Sequence, residues 1–101
     1  MTVLGKFTKQ PVEVLDYQFD FTDWLADRAD NITGTPPVVA SVLSGTSTTP
    51  LTISGIATAS GIVRFFASGG TNGCKYEISC TITTAGGRVK QEEMVLTIKE
   101  T

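Results

Sequence analysis

Apolar and polar side chains alternate most regularly over Cys74-Lys75-Tyr76-Glu77-Ile78-Ser79-Cys80-Thr81-Ile82-Thr83, and the alternation resumes over Met94–Lys99 after a turn at Ala85-Gly86-Gly87. Period two over this length predicts a half-buried antiparallel hairpin. Tyr76, Ile78, Cys80 and Ile82 face a core, while Glu77, Ser79, Thr81 and Thr83 face water. Leu15-Asp16-Tyr17-Gln18-Phe19-Asp20-Phe21 repeats the pattern, so a strand is expected with Leu15, Tyr17, Phe19 and Phe21 inward.

At Thr22 the period changes. Residues 22–28 read as a short helical turn with Thr22 as N-cap, Asp23 in the favourable first turn, and Trp24 and Leu25 plugging one end of the core. Further strands are expected over Val38–Leu43, Leu51–Ile56 (bulged at Gly55) and Ile62–Ala67, separated by Gly-, Ser- and Thr-rich turns. Residues 1–12 look like an extended arm or an edge strand, because Pro11 has no amide proton to give to a ladder. The sum is about seven short strands with turn signals every 8–12 residues, the signature of an all-β, immunoglobulin-like antiparallel β-sandwich. Residues 13–101 form its single domain. Tyr76 stands where such folds place a corner tyrosine, at the start of the penultimate strand, and is read as a core aromatic rather than a ligand contact.

Composition narrows the functions open to such a fold. The chain has 101 residues, 41% of them apolar and 18% charged, with a formal charge of −2. It is long enough for one domain. The basic residues are scattered, with no stripe interleaved with aromatics, so no nucleic-acid partner is expected. Apolar runs are too short to span a membrane, and the N-terminus lacks the features of a secretory signal. There is no histidine, which removes the Ser-His-Asp, Cys-His and usual zinc arrangements. No Cys-x-x-Cys pair or phosphate loop occurs either. An enzyme is not expected, nor is a cofactor. On one strand Cys74 and Cys80 would lie roughly 20 Å apart, too far for a disulfide. Cys80 is read as a small core hydrophobe, and reduced thiols fit assembly in a cytoplasm.

Two features are left over. Glu13, Asp16, Asp20, Asp23, Asp27 and Asp30 fall within one short segment. Asp20, Asp23 and Asp27 could in principle approach a calcium ion, but the ligand spacing and central glycine of a dedicated loop are missing. A solvated acidic face is the expected reading, with a basic partner as the alternative. The second feature is Ile62-Val63-Arg64-Phe65-Phe66. If Val63 and Phe65 face the core, Ile62 and Phe66 must face outward, and Val38-Val39 poses the same problem. A strand apolar on both faces in so short a chain implies that a sheet face packs against another chain.

Phe7-Thr8-Lys9-Gln10-Pro11-Val12-Glu13, Asp16 through Asp27, Gly73 through Ile78 and Thr84 through Val89 resemble a family of small virion proteins, the fibre–tail adaptors of tailed bacteriophages. Phe19-Asp20-Phe21-Thr22-Asp23-Trp24-Leu25 is the most distinctive piece. The resemblance implies a non-enzymatic structural part of the tail, assembled in the host bacterial cytoplasm. It would contact tail hub, connector or fibre subunits and copies of itself. Val3, Leu4, Phe7, Ile62, Arg64 and Phe66 are the candidate interface residues, and the Ser44–Pro50 loop is a further contact candidate. A capsid decoration or head–tail joining protein is the alternative on the same fold. A carbohydrate-binding sandwich using Trp24, Tyr17 and Phe66 as a platform ranks below both.

Overall fold

The computed structural model describes residues 2–45 and 51–100, with side chains from Phe7 onward. Seven strands and one short helix follow in the order β1 (Thr2–Lys9), β2 (Leu15–Asp20), α1 (Thr22–Arg28), β3 (Val38–Ser44), β4 (Thr52–Ala59), β5 (Ile62–Ser68), β6 (Lys75–Thr83) and β7 (Val89–Ile98). They form an all-β sandwich of a four-stranded sheet, β1-β7-β6-β3, and a three-stranded sheet, β2-β5-β4.

The alternation read from the sequence decides which faces meet. Val63, Phe65 and Ala67 of β5 are fully buried, and so are Tyr76, Ile78, Cys80 and Ile82 of β6 and Leu96 and Ile98 of β7. Phe19 and Phe65 stack across the β2–β5 pair with ring centroids 5.7 Å apart, so large rings fill the layer between the sheets. Each such side chain contributes about 1.5–3 kcal/mol by leaving water. A one-residue slip on β5 would exchange Phe65 for Arg64, so packing holds the register.

The sheet edges depart from a simple meander. β1 runs parallel to β7, with Phe7 opposite Leu96 and Lys9 opposite Ile98; every other ladder is antiparallel. Lys9 therefore lands on the inner face and is only 1% exposed. Its ammonium donates to the carbonyls of Gln10 at 2.7 Å, Pro11 at 3.4 Å and Gly69 at 2.8 Å. These three acceptors satisfy its three protons and tie the β1–β2 turn to the β5–β6 loop, although burial still lowers its pKa. The bulge expected at Gly55 is present: the β4–β5 register shifts between Ser54 and Ala57, and Gly55 has φ +61.

Three local expectations are corrected. Leu15 is exposed rather than core: it pairs with buried Ala67 but is the first residue of β2, an edge strand with a neighbour on one side only. Helix α1 starts one residue earlier in its cap, at Phe21, whose amide donates to the Gly61 carbonyl at 2.9 Å. Thr22 is the first helical residue instead. Asp20 Oδ1 does the holding, accepting from the Thr22 amide at 2.9 Å and hydroxyl at 2.6 Å, a local aspartate turn. Asp30, expected on a solvated face, is buried.

Tyr76 is fully buried and its hydroxyl accepts from the Thr71 amide at 2.9 Å, pinning the β5–β6 loop to the start of β6. Tyr76→Phe keeps the ring and removes that acceptor. The expected loss is about 1–3 kcal/mol in chemical denaturation, because a part-buried donor is left unmade. An unchanged denaturation midpoint would show that the loop does not depend on this bond.

Candidate functional site

The strand registers sort the candidate residues onto different surfaces. β5 carries Ile62, Arg64 and Phe66 on the outer face of the three-stranded sheet. They stand opposite Asp20, Gln18 and Asp16 of β2, and Ala59, Ala57 and Ser54 of β4. This face has an aliphatic and aromatic ridge on β5 and a furrow of small side chains on β4. Phe66 remains 40% exposed. It leans over the bulge: a Cβ at Gly55 would come within 3.0 Å of Phe66 Cδ1, so the glycine makes room for the ring as well as for the bend. Arg64 and Asp16 approach only to 4.0 Å with both side chains more than half exposed. Such a pair contributes little to stability and can be exchanged for other partners.

Phe7 is elsewhere. On β1 it tilts against Tyr17 at 5.3 Å, and Tyr17 tilts against Phe65 at 6.0 Å, so an aromatic chain runs from the β1–β2 flank into the core. Val3 and Leu4 lie on β1, and their side chains fall outside the described residues, as does the 46–50 part of the Ser44–Pro50 loop. Of the six candidates, then, Ile62, Arg64 and Phe66 share one face and Phe7 belongs to another. Val39, flagged in the sequence beside Val38, is exposed, and exposed apolar residues not singled out there are Val12, at 86%, with Val14 beside it, and Leu43 and Val89. Val12-Glu13-Val14 directly after Pro11 was the available signal, since a turn normally presents polar residues.

The platform aromatics are largely occupied. Trp24 is half-buried, with the Arg28 guanidinium 4.7 Å and the Lys90 ammonium 5.4 Å from the ring. Lys90 is in turn paired with Glu92 at 3.1 Å. Two buried carboxylates stand apart from the acidic segment. Among the described residues, one oxygen of Glu92 has no partner. Glu93 has its pKa raised, first by a hydrogen bond with Glu77 and then by burial, because two adjacent carboxyls share a proton more easily than they both ionise.

The acidic segment splits in two. Asp16, Asp20, Asp23 and Asp27 are exposed. Asp30 is a clasp joining the end of α1 to the β6–β7 turn. Its carboxylate accepts from Arg88 at 2.7 Å and from the amides of Gly86 and Asn31, each at 2.9 Å. The Thr84 hydroxyl, Arg88 and these amides hold its pKa far below the ordinary carboxylate range. Among the described residues no three metal-ligating side chains converge. A cleft of about 420 Å³ opens beside α1, lined by Leu25, Asn31, Ile32 and Gly61, and among the described residues its single titratable group is the fully engaged Asp30. Both cysteines are free and buried, and burial pushes the Cys80 thiol up to about 12, which leaves it unreactive. Among the described residues no helix is long and apolar enough to cross a membrane.

Two comparisons bear on the chain. The family described as podophage GP4 fiber-tail adaptor protein gp77 matches residues 9–97. No curated protein matches.

Asp30 gives the site a pH signature. Its folded pKa lies below the unfolded value, so its stabilisation is present above the unfolded pKa and is lost as pH falls toward the folded one. Asp30→Asn is therefore expected to be less stable than wild type at neutral pH. The gap in denaturation midpoint should narrow steadily between about pH 5 and about pH 2. A gap that stays constant over that range would contradict the clasp.

Proposed function

This chain belongs to the podophage GP4 fibre–tail adaptor family, a structural and not an enzymatic class of phage protein, and from that premise we propose that it joins the tail, or its hub, to the fibres. The observation that carries this reading is the outer face of the β2-β5-β4 sheet. Of its apolar ridge, Phe66 is exposed and Ile62 is only partly covered among the described residues, although β5 buries its alternate residues completely. An exposed ridge beside a furrow of small residues and a loosely held arginine suits a protein contact: the ridge supplies desolvated area and Arg64 supplies direction. β1 and the Pro11–Val14 turn offer a second surface along the β1–β2 flank, and an adaptor needs two.

The strand arrangement supports the immunoglobulin-like reading. Seven strands divide four and three, the first pairs parallel with the last, and the corner tyrosine bonds back to the preceding loop. Rigid sheets of this kind fix spacing, while edges and loops make the contacts. Residues 13–101 form the single domain, with residues 1–12 as its leading strand and turn. Virion assembly in the host cytoplasm accords with two reduced, buried thiols. Family membership favours the tail over capsid decoration or head–tail joining. The occupied Trp24 and Tyr17 leave little of a sugar platform.

The test is complementation of phage lacking this chain. Particles made without it should carry tails without fibres, and wild-type protein should restore them. Phe66→Glu changes a residue outside the core, so it should fold normally yet weaken the contact by about 2 kcal/mol or more, visible as fibre loss after purification. Fully fibred particles in the absence of the chain would overturn the adaptor reading. Fully fibred particles carrying Phe66→Glu would move the contact off this face.

A further inference from the structure

Val12 is the most exposed large apolar side chain among the described residues, at 86%, and it stands on a braced turn. The Glu13 amide donates to the Gln10 carbonyl at 3.1 Å, closing a β-turn with Pro11 and Val12 at its corner. The Pro11 ring fixes the backbone there. The Glu13 carboxylate reaches back to accept from the Gln10 amide at 2.7 Å. Buried Lys9 holds the turn from beneath, its ammonium donating to the carbonyls of Gln10 and Pro11. Val14 is exposed next to it. A connection between two strands has no need of so stiff an apolar corner. A binding knob has, because a preorganised contact loses little entropy on docking.

A socket of matching chemistry lies on the same molecule. On the outer face of the β2-β5-β4 sheet, Ala57 and Ala59 of β4 pair with Arg64 and Ile62 of β5. With Ser60 these residues line a furrow of about 190 Å³. Its small side chains leave room for an apolar group, and Arg64 adds a cation. The guanidinium carries five N–H donors. Among the described residues its ionic partner is Asp16 at 4.0 Å, with both side chains more than half exposed. Donors so loosely engaged suit an incoming carboxylate.

We propose that the Val12 corner of one copy seats in the β4–β5 furrow of the next, with Glu13 facing Arg64, so that copies associate head to tail. A second copy is the occupant because its turn presents both halves that the furrow asks for, already ordered: a bare apolar side chain and an adjacent carboxylate. A carboxylate accepts several donors, so Glu13 can hold the Gln10 amide and meet Arg64 together. Register rules out the same contact within one chain. β2 leaves the turn at Leu15, opposite Ala67, and reaches Ile62 only at Asp20, about 17 Å further along the strands. Knob and furrow therefore lie toward opposite ends of the sheet. Such a contact is heterologous, and closes into a ring or runs on as an open chain according to the rotation between copies.

The contact rests on the adaptor reading only in treating this face as a protein contact. It takes the hairpin end of the face. Phe66, opposite Asp16 and Ser54, stays open for a tail or fibre subunit.

Sedimentation of the full chain over a concentration series tests the contact. Wild type should form species larger than the monomer as concentration rises. Val12→Asp removes the knob. Ala57→Glu fills the furrow and sets a carboxylate opposite Arg64 in its own chain. Both positions are exposed, so both variants should keep the denaturation midpoint of wild type. Each should raise the dissociation constant about tenfold or more, a change worth about 1.4 kcal/mol. Mixing the two variants is the sharper measurement. One keeps a furrow and the other keeps a knob, so together they should form one-to-one dimers that neither forms alone. A wild-type chain that remains monomeric to about 1 mM overturns the proposal. So does association that survives either variant, or a mixture that stays monomeric where wild type associates. None of these results touches the adaptor reading. A chain that associates head to tail and yet is dispensable for fibres would sink that reading alone.

Discussion

The structure depends on one dry layer between two sheets, and on the fact that strand geometry can commit only alternate residues to it. β5 delivers Val63, Phe65 and Ala67 to that layer, each fully buried. The same pleat then forces Ile62, Arg64 and Phe66 outward. No rotamer change or small shift can hide Phe66 as well, because a slip of one residue would bury Arg64 in its place. The exposed ridge is thus the geometric complement of a well-packed interior. It needs a function-level explanation because Phe66 stays exposed and Ile62 is only partly covered among the described residues.

Charge does different work at the two ends of the sandwich. At one end Lys9 is drawn inside by the parallel register of β1 and β7, and three backbone carbonyls receive its ammonium. At the other, Asp30 gathers Arg88, two amides and a hydroxyl around one carboxylate. Both are polar closures of ends that a small sandwich cannot seal with apolar side chains alone. Gly45 contributes in a quieter way: a Cβ there would approach Cys74 Sγ to 2.5 Å, so the end of β3 can pass directly over the buried thiol. The ends are consequently stitched by specific residues, while the middle is held by non-directional packing.

What could be read in the sequence follows from range. Alternation is a local signal, so β2, β5 and the β6–β7 hairpin were legible, together with the short helix and the bulge at Gly55. The buried alternate residues of β6 were also legible, because tertiary packing there agrees with local pattern. Parallel pairing of β1 with β7 was not. It joins the two ends of the chain, and nothing in Thr2–Lys9 specifies a distant partner. Lys9 and Asp30 were hidden for the same reason: a charged residue reads as solvated until the fold brings acceptors or donors to it. Leu15 misled because periodicity gives direction and says nothing of how little cover the first residue of an edge strand receives. Of the candidate contact residues, those on β5 came together because a single strand carries them. Phe7 separated from them because strand order, which the sequence did not reveal, sent β1 to the other sheet.

On this reading the outer face of the β2-β5-β4 sheet is an intermolecular surface within the phage tail. Imaging of intact particles at side-chain resolution tests it most directly. This subunit is expected at the junction of tail and fibre, with Ile62 and Phe66 enclosed by another polypeptide. A subunit placed elsewhere in the particle, or one at the junction with Ile62 and Phe66 facing solvent, would contradict it.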